Sequence, residues 1–182
     1  MNMSTFVVAN PRKCIACQAC EIACAVAHLK TTVATAGAVD APFQPRLSLV
    51  RTPLLAMPVQ CRQCEDAPCA NICPVKAISR RDGAVVVDTD RCFGCKSCML
   101  ACPFGAMDMA AEGGDAPDAA VPAKPRTVAH KCDLCAGRPG GPACVEACPA
   151  LAFVVVRPDE LQKTVADRRR AAAMPPASCR VP

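Results

Sequence analysis

The sequence predicts an α+β fold of two interlocked units with pseudo-twofold symmetry, short antiparallel strands and short helices being wrapped around internal sites. Three observations carry this expectation. Sixteen of the 17 Cys fall into runs at 14–24, 61–73, 92–102 and 132–148. Large side chains are scarce, since the 182 residues include five Phe and neither Trp nor Tyr, although 52% are hydrophobic. Short β-capable stretches, broken by Pro and Gly, flank the Cys runs. A core so poor in large side chains would be thin, so metal held by the Cys should fill the interior and be coupled to folding.

The inner two runs show what the spacing means. One holds Cys61, Cys64, Cys69 and Cys73-Pro74; the other holds Cys92, Cys95, Cys98 and Cys102-Pro103. The second has the bacterial ferredoxin spacing Cys-x2-Cys-x2-Cys-x3-Cys-Pro, and the first widens its middle gap. Three closely spaced thiolates suit three corners of a [4Fe–4S] cluster, while the fourth Cys of such a run ligates the neighbouring cluster. Cys61, Cys64 and Cys69 are therefore expected to be completed by Cys102, and Cys92, Cys95 and Cys98 by Cys73. Structural zinc is the competing use, but zinc sites draw on Cys pairs rather than on triplets with a further Cys before Pro.

Taken in order, residues 5–9 form a strand candidate ended by Asn10-Pro11. The run Cys14, Cys17, Cys20 and Cys24 follows, with Ala25 where the other runs have Pro, so its helix should continue to Leu29 and stop by Gly37. Residues 46–51 alternate as a strand. Residues 75–80 and 84–88 flank Asp82-Gly83 and predict a hairpin. Residues 110–126, rich in Ala, Gly, Pro and Asp, predict a surface loop. A strand at 126–130 leads into Cys132, Cys135, Cys144 and Cys148-Pro149, whose inserted residues 136–143 must loop out. A last strand at 151–156 precedes a helix at 159–173, with Asp159 and Glu160 at its start and Arg168, Arg169 and Arg170 near its end.

The same crossing applied to the outer runs gives Cys14, Cys17 and Cys20 with Cys148, and Cys132, Cys135 and Cys144 with Cys24. The expected organisation is one domain over 1–157, with an inner unit at about 58–109 and an outer unit at about 1–37 plus 126–157. Residues 158–182 would form a C-terminal helix and tail that could serve in docking, with Cys179 as a free thiol.

Charge and patterning exclude other classes. The formal charge is +5 with the thiols counted as neutral. Each all-thiolate cluster carries about −2, so the loaded protein would be slightly negative. Base-stacking aromatics are missing as well, so nucleic-acid binding is not expected. No apolar stretch reaches the roughly 18 residues that a membrane helix needs, and the first residues lack a leader pattern. The expectation is a soluble, cytoplasmic chain without direct membrane insertion. No run lacks a Cys that would leave an iron open to substrate, and no Gly-rich phosphate loop or nucleophile–base pair stands out, so catalysis itself is not expected. His28 and His130 are not needed as ligands. Lys76, Lys96 and Lys131 lie beside ligands in sequence; two readings stand, positive charges that raise cluster potentials or solvated surface charges, and the second is slightly favoured.

The sixteen clustered Cys in this order, with Cys-Pro closing three of the four runs, resemble the four-cluster ferredoxin-type electron-transfer subunits of molybdenum and tungsten oxidoreductases. These include small subunits of formate dehydrogenases, formate hydrogenlyase and dimethyl sulfoxide reductase-type enzymes, and polyferredoxin subunits of tungsten aldehyde oxidoreductases. The resemblance covers residues 1 to about 157. It implies four [4Fe–4S] clusters with the paired ligation given above. Some relatives replace a third-run Cys by Trp or hold a [3Fe–4S] cluster, whereas Cys92, Cys95, Cys98 and Cys102 are all present here. The implied function is electron relay between a molybdopterin or tungstopterin enzyme oxidising formate or an aldehyde and a second redox partner. That partner would be a hydrogenase, a flavoprotein or further copies of the chain in a wire-like oligomer. A free polyferredoxin and a maturation factor for a formate dehydrogenase or hydrogenase are the alternative readings.

Overall fold

Strands in this chain are too short to form a broad sheet, and they pair two by two. The computed structural model describes residues 4–29, 35, 37, 39, 42–112 and 126–174. The expected tail thiol Cys179 and residues 113–125 of the expected loop lie outside this set. In order, the elements are β1 (Phe6–Ala9), α1 (Ala19–Ala27), β2 (Leu47–Arg51), β3 (Ala56–Gln60), α2 (Pro68–Asn71), β4 (Ile78–Arg81) and β5 (Ala84–Val87). There follow α3 (Ser97–Ala101), β6 (Asp108–Glu112), β7 (Arg126–His130), α4 (Ala143–Glu146), β8 (Phe153–Val156) and α5 (Pro158–Ala173).

Each strand pair is antiparallel, and each makes a different connection. β4 and β5 form the hairpin expected at Asp82-Gly83, whose φ angles of 48° and 78° belong to the left-handed turn that suits a twisted two-residue loop. β1 pairs with β8, Phe6 opposite Val156, so the two sides of the chain's long excursion meet in one ribbon. β6 pairs with β7 from Asp108–His130 to Glu112–Arg126 and ties the end of the third Cys run to the start of the fourth. β2 pairs with β3. Strand β3 was not apparent in the sequence because Pro58 interrupts it; in a two-stranded ribbon Pro can sit with its N–H side unpaired. Residues 110–112, expected as loop, are the end of β6, where Ala110, Ala111 and Glu112 pair with Val128, Thr127 and Arg126 of β7.

The helices pack in two pairs, α1 on α4 and α2 on α3. α1 ends at Ala27, with His28 as its cap, slightly short of the expected Leu29. Around these pairs lie two apolar clusters. One contains Ala77, Ile78, Val85, Met107 and Ala129 with Cys73 and Cys98; the other contains Val7, Leu47 and Phe153 with Cys20, Cys24 and Cys144. Cys side chains are thus a structural part of both. Polar links join the sequence-distant parts. Gln60, 2% exposed, donates from Nε2 to the Val7 carbonyl at 2.9 Å. The Ser4 amide donates to Glu65 at 2.5 Å, and Arg80 donates both to the Ser4 hydroxyl and to the Cys64 carbonyl. Helix α5 buries none of its residues, and Arg168, Arg169 and Arg170 are exposed as expected. No helix among the described residues is long and apolar enough to cross a membrane.

Phe153 is the largest side chain of the second apolar cluster. Phe153→Ala should cost about 3–5 kcal/mol of unfolding free energy, with iron released first from the Cys14–Cys148 side of the molecule. Anaerobic denaturant unfolding with iron release followed in parallel checks this. A cost near zero would mean that the ring is dispensable to that half.

Candidate metal centres

The Cys-x2-Cys loops share one backbone device. Two residues after the first Cys of each run, the chain takes a left-handed conformation: Ala16 (φ 57°), Gln63 (52°), Gly94 (75°) and Leu134 (61°). The residue that caps the following helix does so too at Gln18, Ala67 and Lys96. Such angles cost non-glycine residues about 1 kcal/mol or more, and they turn main-chain N–H groups toward sulfur. The Gln63 amide lies 3.4 Å from Cys61 Sγ. After each Cys-Pro the device recurs, with left-handed Lys76, Gly105 and Leu151 three residues on. The next amide then donates to the sulfur: Ala77 to Cys73 at 3.3 Å, Ala106 to Cys102 at 3.4 Å and Ala152 to Cys148 at 3.3 Å.

These loops gather twelve of the Cys around three cavities that each mix two runs. Cys61, Cys64, Cys69 and Cys102 line one cavity of about 360 Å³, together with Arg62, Phe104, Val85 and Lys131. The Arg62 guanidinium stands 5.9 Å from the Phe104 ring centroid. Cys73, Cys92, Cys95 and Cys98 line a second cavity of about 330 Å³ with Phe93, Gly94 and Ala129. Cys14, Cys17, Cys20 and Cys148 line a third of about 330 Å³ with Ile15, Pro58 and Phe153. Around Cys144, burial and then the nearby charges of Cys132, Cys24, Cys135 and Cys20 push its thiol well above its ordinary range.

In each set burial raises at least one thiol. Burial, then the charge of Cys61, pushes Cys69 up to about 11. Burial pushes Cys20 up to about 11 and Cys132 up to about 12. Cys64 and Cys98 are raised by burial and by neighbouring Cys. Exposed Cys95 is lowered, by the Ser97 hydroxyl and amide. Thiols this crowded and buried cannot ionise together unless positive charge is placed among them. All-sulfur donor sets with main-chain amides aimed at the sulfurs suit [4Fe–4S] clusters rather than oxygen-seeking metals.

Cys24 departs from the pattern. Without a Pro after it, α1 runs on to His28, and the amide that reaches Cys24 Sγ comes from Arg46, at 3.2 Å, just ahead of β2. His28 lies nearby but is otherwise engaged, donating from Nδ1 to the Cys24 carbonyl at 2.7 Å and from Nε2 to Asp133 at 3.0 Å. Burial works against its proton, yet the bonds to Asp133 and Cys24 raise it to about 10. Burial likewise works against the Asp133 anion, but His28 and then Arg46 hold it down to about 2. Arg46 Nη1 donates to Asp133 at 2.6 Å, and the Asp133 carboxylate also receives the Cys135 amide. This network escaped the sequence reading because its members stand far apart in the chain. His130 is partly buried, and burial, then the charges of Arg46 and His28, lowers it.

Of the three Lys beside ligands, Lys76 and Lys96 are exposed, as expected. Lys131 is not; it is 3% exposed.

Short antiparallel ribbons and helices holding all-Cys donor sets define a ferredoxin-type iron–sulfur protein. The chain belongs to the 4Fe-4S dicluster domain family, whose pattern matches residues 52–157, and a further 4Fe-4S binding domain pattern matches residues 11–27. It is 45% identical over 161 residues to the protein YsaA of Escherichia coli (strain K12), covering 88% of this chain and 95% of that one. It is 42% identical over 175 residues to the electron transport protein HydN of the same organism, covering 94% and 99%. Hydrogenase-4 component A, also of Escherichia coli (strain K12), is 40% identical over 195 residues, with 94% and 91% covered. The chain is an iron–sulfur electron-transfer protein.

Gly94 tests the geometry of the loops. A Cβ there would lie 2.3 Å from the Thr127 carbonyl oxygen, and the residue has φ +75°, whereas Gly105 has φ +59° with open space around it. Gly105→Ala should cost about 1–2 kcal/mol from the backbone angle alone. Gly94→Ala should cost clearly more and lower the iron content of purified protein. Equal losses for the two variants would mean that the close approach of Gly94 to β7 is unimportant.

Proposed function

We propose that this chain is a non-catalytic electron-transfer subunit with four [4Fe–4S] clusters. It would relay electrons between a molybdopterin or tungstopterin enzyme that oxidises formate or an aldehyde and a second redox partner. The observation that carries the proposal is the grouping of Cys across runs, with Cys102 among Cys61, Cys64 and Cys69, Cys73 among Cys92, Cys95 and Cys98, and Cys148 among Cys14, Cys17 and Cys20. Cys24 stands with Cys132, Cys135 and Cys144. These would be the four ligand sets, crossed in pairs so that two interlocked units, inner and outer, make one body over 1–157.

When bound, the clusters supply one-electron couples. The protein's own part is to hold the sulfurs, bury them and direct amides at them, each of which bears on potential. Neighbouring sets share surroundings in a single order. The Cys73 set and the Cys61 set meet in one apolar cluster, and the Cys24 set and the Cys14 set meet in the other. Cys61 and Cys132 are close enough to feel each other's charge. A file with the Cys73 set at one end and the Cys14 set at the other supports entry and exit at separate surfaces. The printed name of hydrogenase-4 component A favours a hydrogenase as the second partner.

Protein purified anaerobically should hold about 16 iron and 16 sulfide per chain; zinc, or about half that iron, would overturn the cluster count. Cys102→Ser should alter the paramagnetic signal of the Cys61 set rather than that of the Cys92 set beside it in sequence. For the role itself, the untagged protein should co-purify with a pterin enzyme, and Cys14→Ser should abolish transfer between the partners while each stays active with artificial dyes. Isolation as a lone carrier points instead to a free polyferredoxin. Absence from the active enzyme, combined with a need for it during that enzyme's assembly, points to a maturation factor.

A further inference from the structure

The buried Lys131 stands at the join between the two middle sets. Its Nζ donates to the Val85 carbonyl and, at 2.7 Å, to the Cys132 carbonyl. Gln63, 1% exposed, grips the same two residues: Nε2 donates to the Cys132 carbonyl at 3.0 Å, and Oε1 accepts from the Val85 amide at 2.7 Å. Gln63 sits inside the Cys61–Cys64 loop, Val85 lies in β5, and Cys132 opens the last run. One polar node therefore fastens the inner unit to the outer one.

Lys131 also lines the cavity of the Cys61 set and is adjacent in sequence to Cys132 of the other middle set. Among the described residues no carboxylate forms an ion pair with it. A buried ammonium without an ion-paired carboxylate is costly, and its charge is felt by a sulfur of each middle set, Cys69 on one side and Cys132 on the other. A fixed cation between two sites that each become more negative by one electron stabilises the reduced form of both.

We propose that Lys131, held by Val85, Cys132 and Gln63, is the shared positive charge of the two middle sites and raises the potential of both above what their sulfurs alone would give. This rests on the four-cluster reading above. Lys131 touches no sulfur in this role; it acts through its charge, and each step it biases takes up a single electron. Electrons arriving from either end of the file would then be drawn to the join between the units.

The test is a potentiometric titration of the loaded full-length protein followed by paramagnetic resonance, with steps assigned by Cys64→Ser and Cys135→Ser. In Lys131→Met, the two steps of the middle sites should move to more negative potential while the end sites stay put. The expected size is at least a tenfold fall in the reduced-to-oxidised ratio at fixed potential, about 59 mV for one electron. Lys131→Arg, which keeps the charge, should leave the steps near their original positions. No shift, a shift of all four, or the same shift in the Arg and Met variants would overturn the proposal, the last by reducing it to packing. If Lys131→Met does not take up its iron, Lys131→Gln decides, because it removes the charge while keeping N–H donors for the Val85 and Cys132 carbonyls. The same two steps should again move negative, and unmoved steps would overturn the proposal. Iron content and the number of steps in the unaltered protein judge the four-cluster reading separately.

Discussion

Crowding of sulfur is the constraint to which everything else in this molecule responds. Thiols are packed close enough that burial and mutual repulsion oppose the ionisation of several, as Cys69, Cys132 and Cys144 illustrate. Apolar packing around them is modest, because the largest side chain in either buried cluster is one Phe. Without positive charge among the sulfurs, such an interior has unfavourable electrostatics and little hydrophobic burial to offset it. Iron would supply the charge and occupy the volume, so cluster assembly is expected to be coupled to the folding of the Cys loops.

Main-chain groups then take the place that polar side chains occupy in other metal sites. Side-chain hydroxyls and amides near the sulfurs are few. Left-handed residues present amides instead, Gln63 its own and Lys76 that of Ala77 after it. The arrangement places strain in the loops that are clamped by metal ligation. Cluster loss should therefore release the loops first, while the ribbons β4–β5 and β6–β7, bonded independently of metal, are better placed to persist.

Much of this was legible in the sequence because its signals are local. The Cys spacings, the Asp82-Gly83 turn, the strands at β1, β7 and β8 and the last helix all rest on neighbours a few residues apart. What escaped depends on tertiary partners. β3 carries a Pro that is tolerable only because its pairing is one-sided. β6 is a run of Asp, Met and Ala with little strand preference, made into a strand by β7. Lys131 reads as a surface residue beside any Cys, and only the convergence of Val85, Gln63 and Cys132 buries it.

The departure at Cys24 shows how a local change is absorbed elsewhere. Pro after Cys73, Cys102 and Cys148 stops the helix and lets the same segment curl back to cover its own sulfur. Ala25 cannot stop α1, so the helix carries on for another turn and the covering amide has to be brought from Arg46, 22 residues away. An amide borrowed over that distance stays in place only if its donor is anchored. Arg46 is anchored through its own guanidinium to Asp133, which in turn holds His28 at the end of α1 and the amide of Cys135. One missing Pro thus accounts for a helix extension, a half-buried His–Asp–Arg network and the tie of the residue just ahead of β2 to the last Cys run. It also leaves this set of sulfurs as the one whose amide contact at the fourth Cys comes from a different segment of the chain.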